Sequence, residues 1–310
     1  MGFLTAIAWI AAVIAVSAGL AWCFRAVAVA ALPQTMAKAM RTAPLTASFG
    51  LLIILLYIFA AVFADVIAPF PERAVVGAEY LPREGLDGQF ILGTDNLGRD
   101  MFSRLIYGAR NTVGIAIATT ALAFLIGSVL GLLAATVGGW LDQVLSRAVD
   151  VLMAIPALIF SLLLLTIFGT SITTLILVIA VIDSTRVFRL ARAVAQGIVV
   201  MDYIEAAKLR GEGLWRLITR EILPNAMAPL VAEFGLRFCF VFLSISALSF
   251  LGLGIQPPTA DWGSMVRDNA TLITFGDITP LLPAGAIALL TVAVNFVVDW
   301  MLHRASGLKE

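Results

Sequence analysis

Asp202-Tyr203-Ile204-Glu205-Ala206-Ala207-Lys208-Leu209-Arg210-Gly211, continuing through Glu212–Ile222 into Leu223-Pro224-Asn225, is the stretch from which the rest of the chain can be read. Its residues predict a short helix over Tyr203–Arg210. Asp202 is placed to cap the start, because a side-chain oxygen there accepts a free backbone N–H. Ala206 and Ala207 offer a smooth surface, and Gly211 stops the helix where a left-handed residue is needed. A second amphipathic helix follows, with Leu214, Trp215, Leu217 and Ile218 set against Arg216, Arg220 and Glu221. Pro224 falls in the first turn of the next segment, where its missing N–H costs little. Two readings of this helix–turn–helix stand side by side: a compact element that protrudes toward a partner, or an amphipathic connector lying on a membrane surface.

The flanks make the membrane unavoidable. The 310 residues are 61% hydrophobic and 13% charged, with mean hydropathy +1.02. That leaves too little polar surface to cover a water-soluble domain. Runs long enough to cross a bilayer as helices lie at about Phe3–Trp22, Phe49–Pro69, Val113–Val137, Val151–Thr170, Ile172–Ser184, Ala226–Leu251 and Leu281–Met301. The fifth is short and is expected to continue as helix into water. The first carries no charge before Arg25, unlike a signal peptide, so it reads as an uncleaved anchor.

Lys and Arg are about twice as rich in one alternating set of connections, which includes Lys208, Arg210, Arg216, Arg220 and Lys309, as in the other, which holds Arg73, Arg83, Arg99, Arg104, Arg110 and Arg267. The richer set is expected in the cytoplasm. That puts the N-terminus outside and the C-terminus inside. Two outer connections stand out, Pro69–Thr112 and Gly252–Pro280; on composition alone they read as solvated connectors.

Within the spans, Gly127 and Gly131 have the spacing that lets helices approach closely. Glu233 and Arg237, four apart, can pair on one helix face; they read either as a self-neutralising pair near the cytoplasmic interface or as a gate or substrate contact. Asp150 and Asp183 read as interface residues near span ends. Cys23 and Cys239 lie in apolar runs, which argues against a disulfide framework or a thiolate metal site. His303 is the single histidine and reads as a structural or interfacial residue. The chain contains no G-x-x-x-x-G-K-[ST], H-E-x-x-H or G-x-S-x-G motif, so ATP binding of the phosphate-loop type and familiar hydrolytic sites are excluded. An ion-driven carrier stays open at this level.

Glu205-Ala206-Ala207, Gly211 and Leu223-Pro224 together resemble the EAA loop of ATP-binding-cassette importer permeases. Leu92-Gly93-Thr94-Asp95, Gly98-Arg99-Asp100, Ser103-Arg104-Leu105 and Gly108-Ala109-Arg110 resemble the stretch ahead of the core in the C-type subunit of dipeptide, oligopeptide and nickel permeases. Leu248-Ser249-Phe250-Leu251-Gly252-Leu253-Gly254-Ile255-Gln256-Pro257-Pro258 with Asp261-Trp262-Gly263 resembles that subunit's last outer loop.

The resemblance covers about Phe49 to the C-terminus. It implies an all-α polytopic membrane protein of about seven transmembrane helices, a permease core plus an extra N-terminal helix. The implied organisation is 1–45 for the added helix and linker, 46–110 for the first family helix and long outer loop, and 111–310 for the core. It implies that Tyr203, Glu205, Ala206, Ala207, Gly211, Leu223 and Pro224 couple to an ATPase, and that Gly98, Arg99, Asp100, Gly252, Gly254, Asp261 and Trp262 form the outer family motifs. The implied partners are a second homologous permease, two ATP-binding subunits that carry ATP and Mg, and an extracytoplasmic substrate-binding protein, in a bacterial plasma membrane. No cofactor or metal is expected on this chain. Di- or oligopeptides are the implied cargo, with nickel complexes or other small solutes as alternatives. The sequence departs from the family pattern at Ser244-Ile245-Ser246-Ala247, where many members carry a Glu.

Overall fold

The computed structural model describes residues 3–31, 33–81 and 90–306; Arg83 and Lys309 lie outside the described residues. In chain order the α-helices are α1 Phe3–Ala31, α2 Gln34–Thr42, α3 Leu45–Val62, α4 Ala64–Ile67, α5 Met101–Gly108, α6 Gly114–Val137, α7 Gly139–Met153, α8 Ala157–Phe168, α9 Ile172–Val199, α10 Asp202–Leu209, α11 Leu214–Arg216, α12 Leu223–Phe250, α13 Trp262–Asn269 and α14 Leu281–Ser306. π-helical turns at Ala109–Val113 and Leu217–Ile222 join α5 to α6 and α11 to α12. Two isolated bridges, Val75–Arg99 and Thr94–Asp100, are the only β pairing among the described residues.

Five helical segments are long and apolar enough to cross a membrane: Ala12–Ala31, Leu45–Val62, Met101–Val137, Leu214–Phe250 and Leu281–Arg304. The expected Val151–Thr170 span begins earlier and is broken. α7 and α8 meet at 87° around Pro156 and make a sixth span only if counted together. Pro156 has no N–H to donate and its ring crowds the preceding turn, so the helix stops and restarts there. The seventh candidate, Ile172–Ser184, is part of the 28-residue α9. Asp183, Arg186 and Arg189 make that helix too polar to meet the same criterion. α1 runs past the expected Trp22 end to Ala31 and takes Arg25 with it; the Arg25 guanidinium donates to the Ala43 carbonyl at 3.3 Å.

The chain divides into two compact units, Met1–Phe59 with Ala286–Glu310, and Ala60–Gly285. In the first, Gly50 lies so close to the Ala293 carbonyl and Val297 that a Cβ there would collide with both, and Tyr57 donates to the Ala286 carbonyl at 2.9 Å. In the second, α6 packs along α9. A Cβ on Gly127 would meet Ser184 and Val187, and one on Gly131 would meet Phe188 and Ala191. The G-x-x-x-G spacing therefore does what it permits, bringing two backbones together. α12 packs against both helices and adds Phe238, Cys239, Val241, Phe242 and Ile245 to the buried core.

Candidate functional site

The stretch from Asp202 to Gly211 folds as a short helix fastened at one end of α6, α9 and α12. Ile204 and Ala207 are fully buried against Leu132, Ala195, Leu217, Ile218 and Ile222. These two are three apart and form the inward stripe of α10. Ala206 therefore faces outward while Ala207 does not. The helix ends in a six-residue lock: the Gly211 N–H donates to the Lys208 carbonyl at 2.9 Å and the Glu212 N–H to the Ala207 carbonyl at 3.2 Å. This pattern needs a left-handed residue at Gly211, whose φ is +77°. Asp202 does not cap the helix. Met201, in extended conformation, is the cap residue, and Asp202 is the first helical residue. Its carboxylate still lies in the first turn, where the helix dipole favours negative charge.

Outward, α10 presents Tyr203, Glu205, Ala206 and Leu209 to solvent, and Leu209 is 83% exposed. Leu214 and Trp215 are exposed as well, at 43% and 68%. The amphipathic pattern puts both on the packed face of the second helix, but Leu217 and Ile218 alone take it. Sequence reasoning does not single out Leu209; an apolar residue three past Ala206 is the signal that could have found it. The second helix also does not stop before the next span. It runs through the π turn Leu217–Ile222 into α12. Pro224 supplies a reason: it cannot donate to the Arg220 carbonyl, so the ladder changes register there. Asn225 compensates in part, its side-chain amide donating to the Glu221 carbonyl at 2.6 Å. Leu223 is half-buried, and Pro224 is exposed in the first turn of α12.

At the opposite ends of the same helices, the two expected connectors are packed together into one cap. Asp95 is its hub. Its carboxylate accepts from the Leu97 and Arg99 backbone N–H groups at 2.9 Å and from Arg99 Nε at 2.7 Å, and it lies 3.3 Å from Arg104 Nε. Gly98 has φ +70°, and a Cβ there would strike the Gly77 carbonyl. Asp100 caps α5 through Ser103 N–H at 2.7 Å and Ser103 Oγ at 2.6 Å.

The second connector docks onto this frame. Glu72 accepts from the Ala260 N–H and from Asn111 Nδ2. Thr112 Oγ1 donates to Asp261 Oδ1 at 3.0 Å, while Asp261 Oδ2 caps α13 by accepting from Ser264 N–H at 2.8 Å. Burial pushes the Asp261 carboxyl above the usual carboxylate range, against the lowering effect of these donors. Trp262 donates to the Leu105 carbonyl at 2.9 Å and lies edge-on to Phe242. Gly108 leaves room for its ring. Gly252, at φ +88°, closes α12 with the same six-residue lock as Gly211, through the Ser249 and Leu248 carbonyls. Gly254 sits against Ser249, whose hydroxyl accepts from the Ile255 N–H. Ile245 and Ser246, within the Ser244–Ala247 stretch, are both buried.

The remaining charged positions divide. Asp150 is exposed near the end of α7, whereas Asp183 is buried within α9 and not at a span end. Glu233 Oε1 and Arg237 Nε pair at 2.7 Å, as their spacing suggests, and Arg237 also lies 3.7 Å from Asp183. The two cysteines are free, and no group of three metal-ligating side chains occurs among the described residues.

A family model described as binding-protein-dependent transport system inner membrane component matches residues 127–305. A di/tripeptide transport system permease protein of Pseudomonas aeruginosa is 36% identical over 254 residues, covering 81% of this chain and 84% of that protein. A dipeptide transport system permease protein of Alkalihalophilus pseudofirmus is 33% identical, covering 81% and 82%. A glutathione transport system permease protein of Pectobacterium atrosepticum is 32% identical, covering 80% and 82%.

Proposed function

Because this chain belongs to the family of binding-protein-dependent transport system inner membrane components, we propose that it forms half of the translocation pathway of an ATP-driven importer of di- or oligopeptides. The observation that carries the coupling role is α10: a helix anchored by Ile204 and Ala207 that holds Tyr203, Ala206 and Leu209 out to solvent. An exposed apolar face on a rigid, locked helix is suited to a groove in a partner protein. ATP-binding subunits carrying ATP and Mg occupy that position in this reading. Gly211, Leu223 and Pro224 set the position and angle of the docking helix, and Glu205, exposed beside Ala206, meets the partner.

The same loop supports an assignment of the sides of the membrane. In this reading α10 is cytoplasmic, the 69–112 and 252–280 cap is outside, the N-terminus is outside and the C-terminus is inside. The arginines of the cap support that orientation. Arg99 and Arg104 lie against Asp95, Arg110 pairs with Asp65, and Arg267 pairs with Asp268. Lys208, Arg216 and Arg220 have no ion pair among the described residues. Arg73 of the cap is likewise without an ion pair among the described residues, so Lys208, Arg216 and Arg220 leave the larger unpaired positive charge on the α10 side, as the positive-inside rule favours.

A second, homologous permease completes the pathway, and a substrate-binding protein delivers the peptide at the cap. Residues 111–310 act as the shared core. ATP favours the closed ATPase dimer, and α10 passes the resulting movement to the helices. A shift between access states requires ATP to bind the two states with different affinity, which the ATPase dimer supplies. A pull-down of the C-terminally tagged chain from mild detergent tests this. The expected result is co-purification of two ATP-binding subunits and a second permease, and ATP-dependent peptide uptake by the reconstituted complex that survives an ionophore. Recovery of the chain alone from a preparation that still transports would overturn it.

A further inference from the structure

Four charged side chains meet in the middle of the helices of the second unit. Arg237 lies about 20 Å from the Phe250 end of α12, and Asp183 about 16 Å from the Ile172 end of α9, at roughly 1.5 Å per residue. Both are far from either end of their helix. Arg237 Nε is 2.7 Å from Glu233 Oε1, its Nη1 is 3.7 Å from Asp183 Oδ1, and Arg186 Nη1 reaches the same Asp183 oxygen at 3.5 Å. The group is neutral in sum, with two carboxylates and two guanidiniums.

A pair that served only to neutralise itself would be complete with Glu233 and Arg237. Here a third charge arrives from another helix, and hydrogen bonding is left unfinished. Asp183 is only 5% exposed, yet its Oδ1 has no partner in hydrogen-bonding geometry, and neither do Arg237 Nε and Nη1. Such groups hold capacity for a polar ligand. The guanidinium of Arg237 instead lies over the Phe240 ring at 4.6 Å. The cluster also reaches the surface of the subunit: the Arg186 side chain is 44% exposed and Phe240 is 49% exposed. Charged groups at bilayer depth are not set against acyl chains; they face water or protein.

We infer that this cluster is a transit site for zwitterionic peptides, in which Arg237 takes the terminal carboxylate and Glu233 the terminal ammonium. Asp183 and Arg186 hold the empty site neutral. The chemistry matches in sign and number, since a free peptide carries one group of each charge. A guanidinium receives a carboxylate through directed N–H donors. Opening of the Glu233–Arg237 pair exchanges one pair of charges for two, so no net charge is left buried. This inference rests on the peptide-importer reading.

The test uses the complete importer in proteoliposomes, with its binding protein saturated in turn with dialanine, dialanine amide and N-acetyl-dialanine. Arg237→Gln is expected to lower ATP-driven dialanine uptake at least tenfold and dialanine amide uptake less than twofold. Glu233→Gln is expected to spare N-acetyl-dialanine in the same way, and Arg237→Lys to keep part of the dialanine rate. Equal losses for free and blocked peptides, or no loss, would overturn the inference while leaving the importer reading intact. Wild-type complex that imports none of these probes with ATP would overturn both. As an independent measure, Phe240→Cys in a Cys23→Ser background, which leaves Arg237 and Glu233 in place, is expected to react with a membrane-impermeant thiol reagent during turnover and to be protected by dialanine. No reaction from either side would contradict a path-lining position.

Discussion

The α10 loop and the outer cap both carry residues that resemble family motifs, yet they are built in opposite ways. In the cap the motif residues are inside: Arg99, Asp100, Asp261 and Trp262 are at most 5% exposed, and every one is engaged by hydrogen bond, ion pair or ring contact. In α10 only Ala207 of the E-A-A triplet is buried, while Glu205 and Ala206 face solvent. A motif whose residues satisfy one another holds a shape. A motif whose residues are left unused within the chain is free to meet another molecule, as the proposed docking role of α10 requires. The same left-handed glycine lock serves both ends, at Gly211 and at Gly252.

The comparison breaks most visibly at α10. Glu205→Lys, or Gly211→Leu, is expected to reduce ATP-driven uptake at least tenfold while the chain stays inserted at wild-type level. For Gly211→Leu, a left-handed backbone costs an ordinary residue about 1–2 kcal/mol, too little to unfold the bundle but enough to turn the helix end. Uptake assayed beside membrane-fraction immunoblots checks this. In the cap the order of effects inverts. Trp262→Ala removes a fully buried ring from between Gly108 and Phe242 and is expected to destabilise by about 3–5 kcal/mol, read as a fall in thermal midpoint in detergent. Co-purification of the ATP-binding subunits by the surviving folded chain is expected to persist.

Smaller effects sharpen the contrast. Asp261 has a raised carboxyl pKa in the folded chain, so the folded state holds its proton more tightly than the unfolded one. Stability from this group is present at low pH and is lost as the pH rises from the ordinary carboxylate value through the raised one. Asp261→Asn keeps the helix cap and is expected to remove that part of the pH slope of the thermal midpoint. Asp65 has the opposite sign. The hydrogen bond from Arg110 holds its carboxyl below the usual range, so its contribution is present above the ordinary value and is lost only as the pH falls through the lowered one. The Asp65 side chain is 68% exposed, and Asp65→Asn is expected to change the midpoint at neutral pH no more than an ordinary surface substitution.

How much of this is legible in sequence follows from what periodicity can carry. Long apolar runs locate five of the seven expected spans, but not the break at Pro156 or the polar continuation of α9, and the Gly127–Gly131 spacing finds the α6–α9 contact. The left-handed glycine at the end of α10 is readable because few residues fit there. α7 escapes such a reading because Gly139–Asp150 mixes charges with apolar residues, and none of its residues is buried in this chain. Amphipathic pattern places Leu214 and Trp215 on the packed face because it says that an apolar residue wants cover, not which molecule provides it. The cap reads as solvated because its bonds join residues far apart, such as Thr112 to Asp261. Local composition contains no trace of such a pairing. The charge cluster around Arg237 is half legible: spacing finds Glu233, but Asp183 comes from another helix.

The most direct measurement of the central claim is a pull-down of the tagged chain carrying Leu209→Arg. Leu209 is 83% exposed on α10, so the substitution leaves the chain's own packing in place. The account predicts wild-type yield and thermal midpoint with the ATP-binding subunits lost from the eluate. Their recovery at wild-type stoichiometry, with uptake undiminished, would contradict the assignment of α10 as the docking helix.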